Sequence, residues 1–166
     1  GSSGGATAAV GANLALAALV TDTAGSVRLP AAFCNVVGSK PTYGSISRSG
    51  IIAMGSSLDI IGPITKTVED NQILFDVIAG KDPLDSTSIE LPSSLELRAS
   101  GLKVGVPRNF LEMKGIDSDV LANFNESVKK LQSLGHEVVD ISLPTVPHSL
   151  AVYYVVMPAE LSTNLS

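Results

Sequence analysis

Two clusters of glycine and serine are the residues of this sequence whose types and spacing could support nucleophilic chemistry. The first is Gly1-Ser2-Ser3-Gly4-Gly5, and the second is Thr21-Asp22-Thr23-Ala24-Gly25-Ser26. Glycine lets backbone N–H groups approach a ligand closely, and successive N–H groups in a turn form a concavity that binds anions. A serine at the edge of such a turn can attack a carbonyl carbon while the N–H groups stabilise the oxyanion. Taken alone, the clusters also fit two ordinary polar turns.

A serine nucleophile needs a general base, and the sequence context of the two histidines gives no support to a Ser-His-Asp triad. His136 follows the glycine that ends a predicted helix, and His148 lies beyond two prolines. A neutral, buried lysine is the chemical alternative, but the first lysine of the chain is Lys40. A phosphate-binding loop is disfavoured because Gly1–Gly5 lacks the Gly-Lys-Ser/Thr ending.

Composition narrows the possible classes of function. The 166 residues are 45% hydrophobic and 16% charged, which excludes intrinsic disorder. The net charge is −5 and no basic stripe is visible, so direct binding of nucleic acid is disfavoured. A single cysteine, Cys34, excludes an internal disulfide, and two histidines without a Cys/His cluster argue against a metal site. The longest mostly apolar run, Ala8–Val20, is too short to span a bilayer.

Hydrophobic periodicity predicts the elements that must position the two clusters. The small residues Ala6–Gly11 suit the start of a tightly packed helix. The apolar run Leu14–Val20 has the length of a buried strand, although a helix stays possible. Residues Arg28–Val37 are predicted to be a helix with Pro30 in its first turn, where a missing N–H is tolerated.

In residues 61–166, apolar and polar residues alternate as they do in an ordinary globular protein. Thr67 resembles a helix N-cap, and Gly80 fits the end of that helix. Residues 86–100 lack periodicity and are predicted to form a surface loop.

Residues 102–143 form the clearest local unit of the sequence. A strand at Leu102–Val106, a helix ended by Gly135 and a strand at Glu137–Leu143 predict a parallel crossover. A further helix is predicted over His148–Ser166, with Pro158 as a kink or break.

The two serine clusters and several later segments together resemble the amidase signature family. The resemblance is dense over residues 1–90 and looser to residue 166. Ser2 and Ser26 are 24 positions apart, which is the spacing of the family's two catalytic serines. One segment, Asp82-Pro83-Leu84-Asp85-Ser86-Thr87-Ser88, is most similar to the branch of tRNA-dependent amidotransferase A subunits. The other segments that carry the resemblance are 1–5, 21–34, 37–44 and 56–63.

The resemblance implies an α/β fold in which a mixed β-sheet is flanked by helices, and a Ser–cis-Ser–Lys mechanism. By position, Ser26 would be the nucleophile, and Ser2 would be the bridging serine on a cis peptide bond that relays a proton to a lysine. The N–H groups of Thr23, Ala24 and Gly25 would form the oxyanion hole. No metal and no cofactor are implied for this chain.

The resemblance also implies a larger assembly. Glutamine would be the substrate, and the ammonia would pass to the B subunit of a complex that also contains a C subunit. The B subunit would use ATP and Mg²⁺ and contact the tRNA, so tRNA would be an indirect partner of this chain. The location implied is the cytoplasm or an organellar matrix or stroma, without a membrane.

Residues 1–166 are expected to be an internal part of one amidase domain, because the family's catalytic lysine precedes the Gly-Ser-Ser-Gly-Gly motif. The fragment alone is therefore expected to be inactive. Two alternatives stay open. A stand-alone amidase or allophanate-type hydrolase is favoured only by Ala24, where A subunits usually have glycine, and a non-catalytic fragment is favoured by the absent lysine.

Overall fold

The chain contains two compact units. A computed structural model describes residues 2–91, 101–112 and 115–166. The described residues of Gly1–Ser93 and Ala151–Ser166 form the first unit, and those of Ser94–Leu150 form the second. The expectation that all 166 residues belong to one amidase domain stays a prediction.

The first unit is built on a three-stranded antiparallel sheet. The strands β1 (Ala18–Asp22), β2 (Val37–Gly38) and β3 (Ile60–Thr65) lie in the order β1-β3-β2. The register pairs Ala18 with Ile64 and Asp22 with Ile60. Three helices belong to this unit, and most of a fourth: α1 (Gly4–Gly11), α2 (Arg28–Cys34), α3 (Val68–Ile78) and α5 (Ser149–Asn164).

The second unit contains the predicted crossover. Strand β4 (Lys103–Val106) pairs in parallel with β5 (Glu137–Asp140), and α4 (Ser118–Ser133) connects them. A 3-10 turn at Arg108–Glu112 precedes α4. The strand–helix–strand prediction and the α/β class are thus confirmed. Among the described residues the parallel and antiparallel pairings belong to separate sheets.

The core of the first unit lies where α1 and α2 pack on the sheet. Val10, Val27, Ala31 and Ile64 form its fully buried cluster. Gly38 is necessary for this packing, because an added Cβ would lie 2.7 Å from the Cβ of Ala31. Val27 directly follows Ser26, so the backbone beside this serine is anchored in the core.

Several predicted boundaries differ from the observed ones. The strand predicted over Leu14–Val20 begins only at Ala18 and continues to Asp22, and Leu16 is 94% exposed. Helix α2 ends at Cys34 because Asn35 adopts a left-handed conformation (φ +52°). Strand β5 ends at Asp140 rather than Leu143. The helix predicted over His148–Ser166 begins at Ser149 and continues through Pro158 without a break.

Helix α3 is attached to the sheet through a polar residue. Thr67 caps it as predicted, since its side chain accepts a hydrogen bond from the Asp70 N–H. Asn71 is the buried residue of the helix, and its amide donates to the Pro63 carbonyl at 3.2 Å and to Thr65 Oγ1 at 3.1 Å. Of the four residues that the sequence predicts to form an apolar face, Ile73 and Val77 are 64% and 77% exposed, and Leu74 and Ile78 are half-buried. Of the loop predicted over residues 86–100, residues 92–100 lie outside the described chain.

Candidate active site

Ser26 lies in the connection between β1 and α2, which we call the Ser26 loop (residues 23–27). The strand ends at Asp22 and the helix begins at Arg28, so the loop lies at the C-terminal end of β1. Ser26 is half-buried, whereas Ser2, just before α1, is exposed. Neither hydroxyl forms a hydrogen bond with another described residue.

Asp22 organises the Ser26 loop from its N-terminal end. Its side chain is fully buried. One oxygen accepts a hydrogen bond from the Gly25 N–H at 2.7 Å, and the other accepts from the Val27 N–H at 3.2 Å. The guanidinium of Arg28 donates to both oxygens at 3.0 Å. A single carboxylate thus fixes the backbone on both sides of Ser26.

The same contacts keep Asp22 ionised. Burial by itself would raise the pKa of this carboxyl, because it disfavours the charged form. The hydrogen bonds from Arg28, Gly25 and Val27 outweigh burial, and the pKa of Asp22 lies below its ordinary value of 3.8. The loop is therefore held by a charged acceptor at neutral pH.

A second buried carboxylate, Asp59, reaches the loop from the position just before β3. Its Oδ1 accepts a hydrogen bond from Thr23 Oγ1 at 2.7 Å. Its Oδ2 accepts from the N–H groups of Met54 and Gly55, at 2.7 and 3.0 Å. Sequence reasoning assigned no role to Asp59, although a lone acidic residue just before an apolar strand was a visible signal.

Gly25 supplies the backbone conformation that the loop needs. Its φ is +133°, which L side chains rarely adopt, and no atom lies within 4 Å of an added Cβ. Ala24, by contrast, is not among the described residues with positive φ. The departure from glycine at position 24 therefore causes no backbone strain of this kind.

The predicted oxyanion donors fall into two groups. The Gly25 N–H already donates to Asp22. The N–H groups of Thr23 and Ala24 donate to no acceptor within the described chain, and the same holds for the N–H of Ser26, which sequence reasoning did not single out. The loop thus presents amide groups that an anion can use, while Gly25 serves to fix the turn.

The Ser2 segment is attached close to the start of the loop. Its neighbour Ser3 is buried and donates from Oγ to the carbonyl of Thr21 at 3.3 Å. Ser3 is also the N-cap residue of α1, and its carbonyl accepts from the N–H of Thr7. The described peptide bonds are all trans. The bond between Gly1 and Ser2 lies outside them, so the cis bond implied for Ser2 stays a prediction.

Residues 82–88, the segment whose sequence resembles the amidotransferase A subunits, fold around Arg48. The Asp85 carboxylate accepts from Thr87 Oγ1 at 2.6 Å and from the Arg48 N–H at 2.8 Å, and these bonds lower the pKa of Asp85 to about 2. The Arg48 guanidinium donates to the Ser56 carbonyl and to Thr87 Oγ1, and lies 4.7 Å from the Tyr43 ring centroid. In this structure the segment braces the neighbouring loop.

That neighbouring loop, residues 54–57, also contacts helix α5. Glu160 accepts hydrogen bonds from the N–H and the hydroxyl of Ser57. Asn164 donates to the Met54 carbonyl at 3.1 Å and to Ser56 Oγ at 3.0 Å. The 54–57 loop thus lies between α5 and Asp59.

Metal ligation and membrane spanning have no basis among the described residues. No group of three or more His, Cys, Asp or Glu residues in the described chain is arranged to bind a metal ion. None of the helices in the described ranges has the length and apolar character needed to cross a bilayer.

Relatives of known identity match the whole chain. The family model named Amidase matches residues 1–166. The A subunit of glutamyl-tRNA(Gln) amidotransferase from Carboxydothermus hydrogenoformans is 51% identical, and its counterpart from Desulfatibacillum aliphaticivorans is 49% identical. Each alignment covers 100% of this chain and 35% of the relative, so the chain spans about a third of the length of these proteins.

Two solved structures also match nearly the whole chain. A crystal structure of the glutamyl-tRNA(Gln) amidotransferase A subunit from Thermotoga maritima matches with a TM-score of 0.90 and 46% identity, over 99% of this chain and 37% of that chain. The native peptide amidase from Stenotrophomonas maltophilia matches with a TM-score of 0.80 and 27% identity, over 99% of this chain and 35% of that chain.

Proposed function

This chain belongs to the amidase family, and from that premise we propose that it is the nucleophile-bearing part of a glutaminase subunit in a tRNA-dependent amidotransferase. The observation that carries the proposal is the arrangement of groups in the Ser26 loop. It presents the half-buried Ser26 beside backbone N–H groups that donate to no acceptor in the described chain, on a turn that the buried, charged Asp22 fixes on both sides of this serine.

In the proposed reaction the Ser26 oxygen attacks the side-chain amide carbon of glutamine. The bond from Ser26 Oγ to carbon forms, the carbon–nitrogen bond breaks, and a γ-glutamyl ester and ammonia result. The carbonyl oxygen becomes negative in the transition state, and the N–H groups of Thr23 and Ala24 would donate to it. Each such donor contributes roughly 3 kcal/mol to lowering the barrier. Gly25 can join them only by sharing the N–H that it donates to Asp22.

Ser2 is proposed to carry protons between Ser26, the departing ammonia and a lysine base. A proton relay of this kind contributes about 10²- to 10⁴-fold in rate. The attachment of Ser3 to Thr21, at the end of β1, supports a position of Ser2 near the loop. The lysine is assigned to no residue of this chain.

The proposed substrate and partners follow the similarity to the A subunits. Ammonia would be delivered to the B subunit, which would activate the acceptor tRNA with ATP and Mg²⁺, and the C subunit would complete the complex. This chain would then contact tRNA only indirectly. The acidic composition, with a net charge of −5, agrees with that division of roles.

A stand-alone amidase is the second candidate, and its only support from the sequence was Ala24. Because Ala24 does not adopt a positive φ, alanine and glycine are both compatible with this position. The residue type at position 24 therefore does not favour the second candidate.

The test is glutamine hydrolysis by the full-length protein in complex with its partners. We expect Ser26→Ala to abolish ammonia release while the protein keeps its fold, and Ser166→Ala, a matched change at an exposed serine, to have no effect. Glutamine-dependent activity that survives Ser26→Ala would exclude Ser26 as the nucleophile. Rapid hydrolysis of simple amides without any partner would favour the second candidate.

A further inference from the structure

We propose that Asp59 is a positioning residue for the Ser26 loop, acting through the side chain of Thr23. The inference rests on the proposed function of Ser26 and extends it to a residue outside both serine motifs. Thr23 lies at the first position of the loop, so the group that fixes Thr23 also fixes where the loop leaves the strand.

The strand register explains why these two residues meet. β1 and β3 are antiparallel, and Asp22 pairs with Ile60 at the end of the ladder. The next residues outward are therefore Thr23 and Asp59. Beyond the last backbone pair, the two segments are connected by their side chains, through the 2.7 Å hydrogen bond from Thr23 Oγ1 to Asp59 Oδ1.

The surroundings of Asp59 indicate why a carboxylate is present. The residue is 2% exposed, and within the described chain no lysine or arginine forms an ion pair with it. Its charge is stabilised by neutral donors alone: Thr23 Oγ1 and the N–H groups of Met54 and Gly55. The Thr23 hydroxyl can accept as well as donate, so an asparagine could keep both contacts by turning its oxygen to the two N–H groups and its NH₂ group to Thr23. An alanine at position 59 removes the contacts with both loops.

The 54–57 loop gives this connection a rigid base. An added Cβ on Gly55 would lie 3.5 Å from the Thr23 methyl carbon and 3.5 Å from Glu160 Oε2, so Gly55 is enclosed between the Ser26 loop and α5. Asp59 therefore links Thr23 to backbone that is itself braced.

The expected consequence is kinetic. If Thr23 Oγ1 loses its acceptor, the Thr23 N–H is free to turn away from the oxyanion. An oxyanion donor acts mainly in the transition state, so its loss lowers kcat and leaves KM nearly unchanged.

The experiment compares Thr23→Val, Thr23→Ser and Asp59→Ala in the full-length protein with its partners. The readouts are kcat and KM for glutamine, and the rate at which a fluorophosphonate probe labels Ser26. We expect Thr23→Val and Asp59→Ala each to lower kcat and the labelling rate by about 10- to 100-fold. KM should change little, and Thr23→Ser, which keeps the hydroxyl, should restore most of the rate.

Thr65→Val is the matched control. Thr65 is a buried threonine of β3 whose hydroxyl bonds to Thr67 and Asn71, not to the Ser26 loop. It should lower the melting temperature without slowing the labelling of Ser26. The Thr23→Val/Asp59→Ala double variant should be no slower than the slower single variant by more than about threefold, because both changes remove the hydrogen bond between Thr23 and Asp59.

Two failures can be distinguished. If the probe does not label Ser26 of the unaltered protein and that protein does not hydrolyse glutamine, the proposed function itself is wrong. If the unaltered protein is active but Thr23→Val keeps its rate, or Thr65→Val slows labelling equally, the positioning role of Asp59 is wrong. Should Asp59→Ala fail to fold, the comparison of Thr23→Val with Thr23→Ser decides.

Discussion

Each oxygen of the Asp22 carboxylate accepts a hydrogen bond from the Arg28 guanidinium, at 3.0 Å. The two partners differ in their exposure, since the Asp22 side chain is fully buried and that of Arg28 is 53% exposed. Arg28 can therefore be hydrated when it loses its partner, but Asp22 cannot. The pair stabilises the Ser26 loop only while both members are present.

This asymmetry predicts an unusual order of stabilities. Arg28→Met leaves a buried carboxylate without its cation, which should cost about 3 kcal/mol in the free energy of unfolding. The double variant Asp22→Asn/Arg28→Met removes the charge as well, while the side-chain oxygen of the introduced asparagine can still accept from the Gly25 N–H. We expect the double variant to be more stable than Arg28→Met by about 1 kcal/mol or more. Urea unfolding at pH 7 measures both, and a double variant less stable than the single one would contradict the argument.

The adjacent residues Ser2 and Ser3 allow a proposed role in proton relay to be compared directly with a structural role. Ser2→Ala should lower the glutaminase rate by at least about 10²-fold, because the proposed proton relay is lost. Ser3→Ala removes the hydrogen bond to the Thr21 carbonyl, so it should cost about 1 kcal/mol of stability and leave kcat within about threefold. Steady-state kinetics and thermal unfolding of the two variants provide the measurement. If Ser3→Ala abolishes activity and Ser2→Ala does not, the relay belongs to Ser3.

Neighbouring positions 24 and 25 should respond differently to a change between alanine and glycine. Gly25→Ala places a side chain at a φ of +133° and should cost about 1–3 kcal/mol, although no atom blocks the new Cβ. Ala24→Gly relieves no such strain and should cost at most about 1 kcal/mol through greater freedom of the unfolded chain. Chemical denaturation of both variants measures the difference. A stabilising Ala24→Gly would show that position 24 is strained after all.

Acid should weaken the segment around Asp85 within a defined range of pH. The pKa of Asp85 is about 2 in the folded protein, against an ordinary value of 3.8. A lowered pKa stabilises the folded state above pH 3.8, and this stabilisation is lost as the pH falls from 3.8 toward 2. The stability gap between the unaltered protein and Asp85→Asn should therefore narrow across this range.

Other carboxyls with lowered pKa values, such as Asp22 and Asp82, also weaken the fold in acid. The unaltered protein and Asp85→Asn both contain these other carboxyls. The difference between their free energies of unfolding therefore reports on Asp85. Urea unfolding at pH 5 and at pH 2.5 tests the prediction, and a constant gap would exclude the proposed pKa of Asp85.

The elements that sequence reasoning predicted best are those with strong local signals. The crossover over residues 102–143 depends on a helical apolar face and two flanking strands, and it was confirmed. The end of α2 was missed because the left-handed conformation of Asn35 is not evident from an apolar run. The face of α3 was predicted only in part, because its buried residue is Asn71 and two of the four predicted apolar residues are exposed.

By itself the sequence indicated the family, which the comparisons confirm, and it singled out the two serines, whose roles stay predictions. Their spacing and the glycines around them are local properties, readable without coordinates. Only the tertiary structure decided which groups position the Ser26 loop, since Asp59 is 36 residues from Thr23. It also decided which N–H groups stay available, because Asp22 engages that of Gly25. The physical reason is that hydrogen bonds between distant segments depend on strand register, and the register is set by packing of the whole sheet.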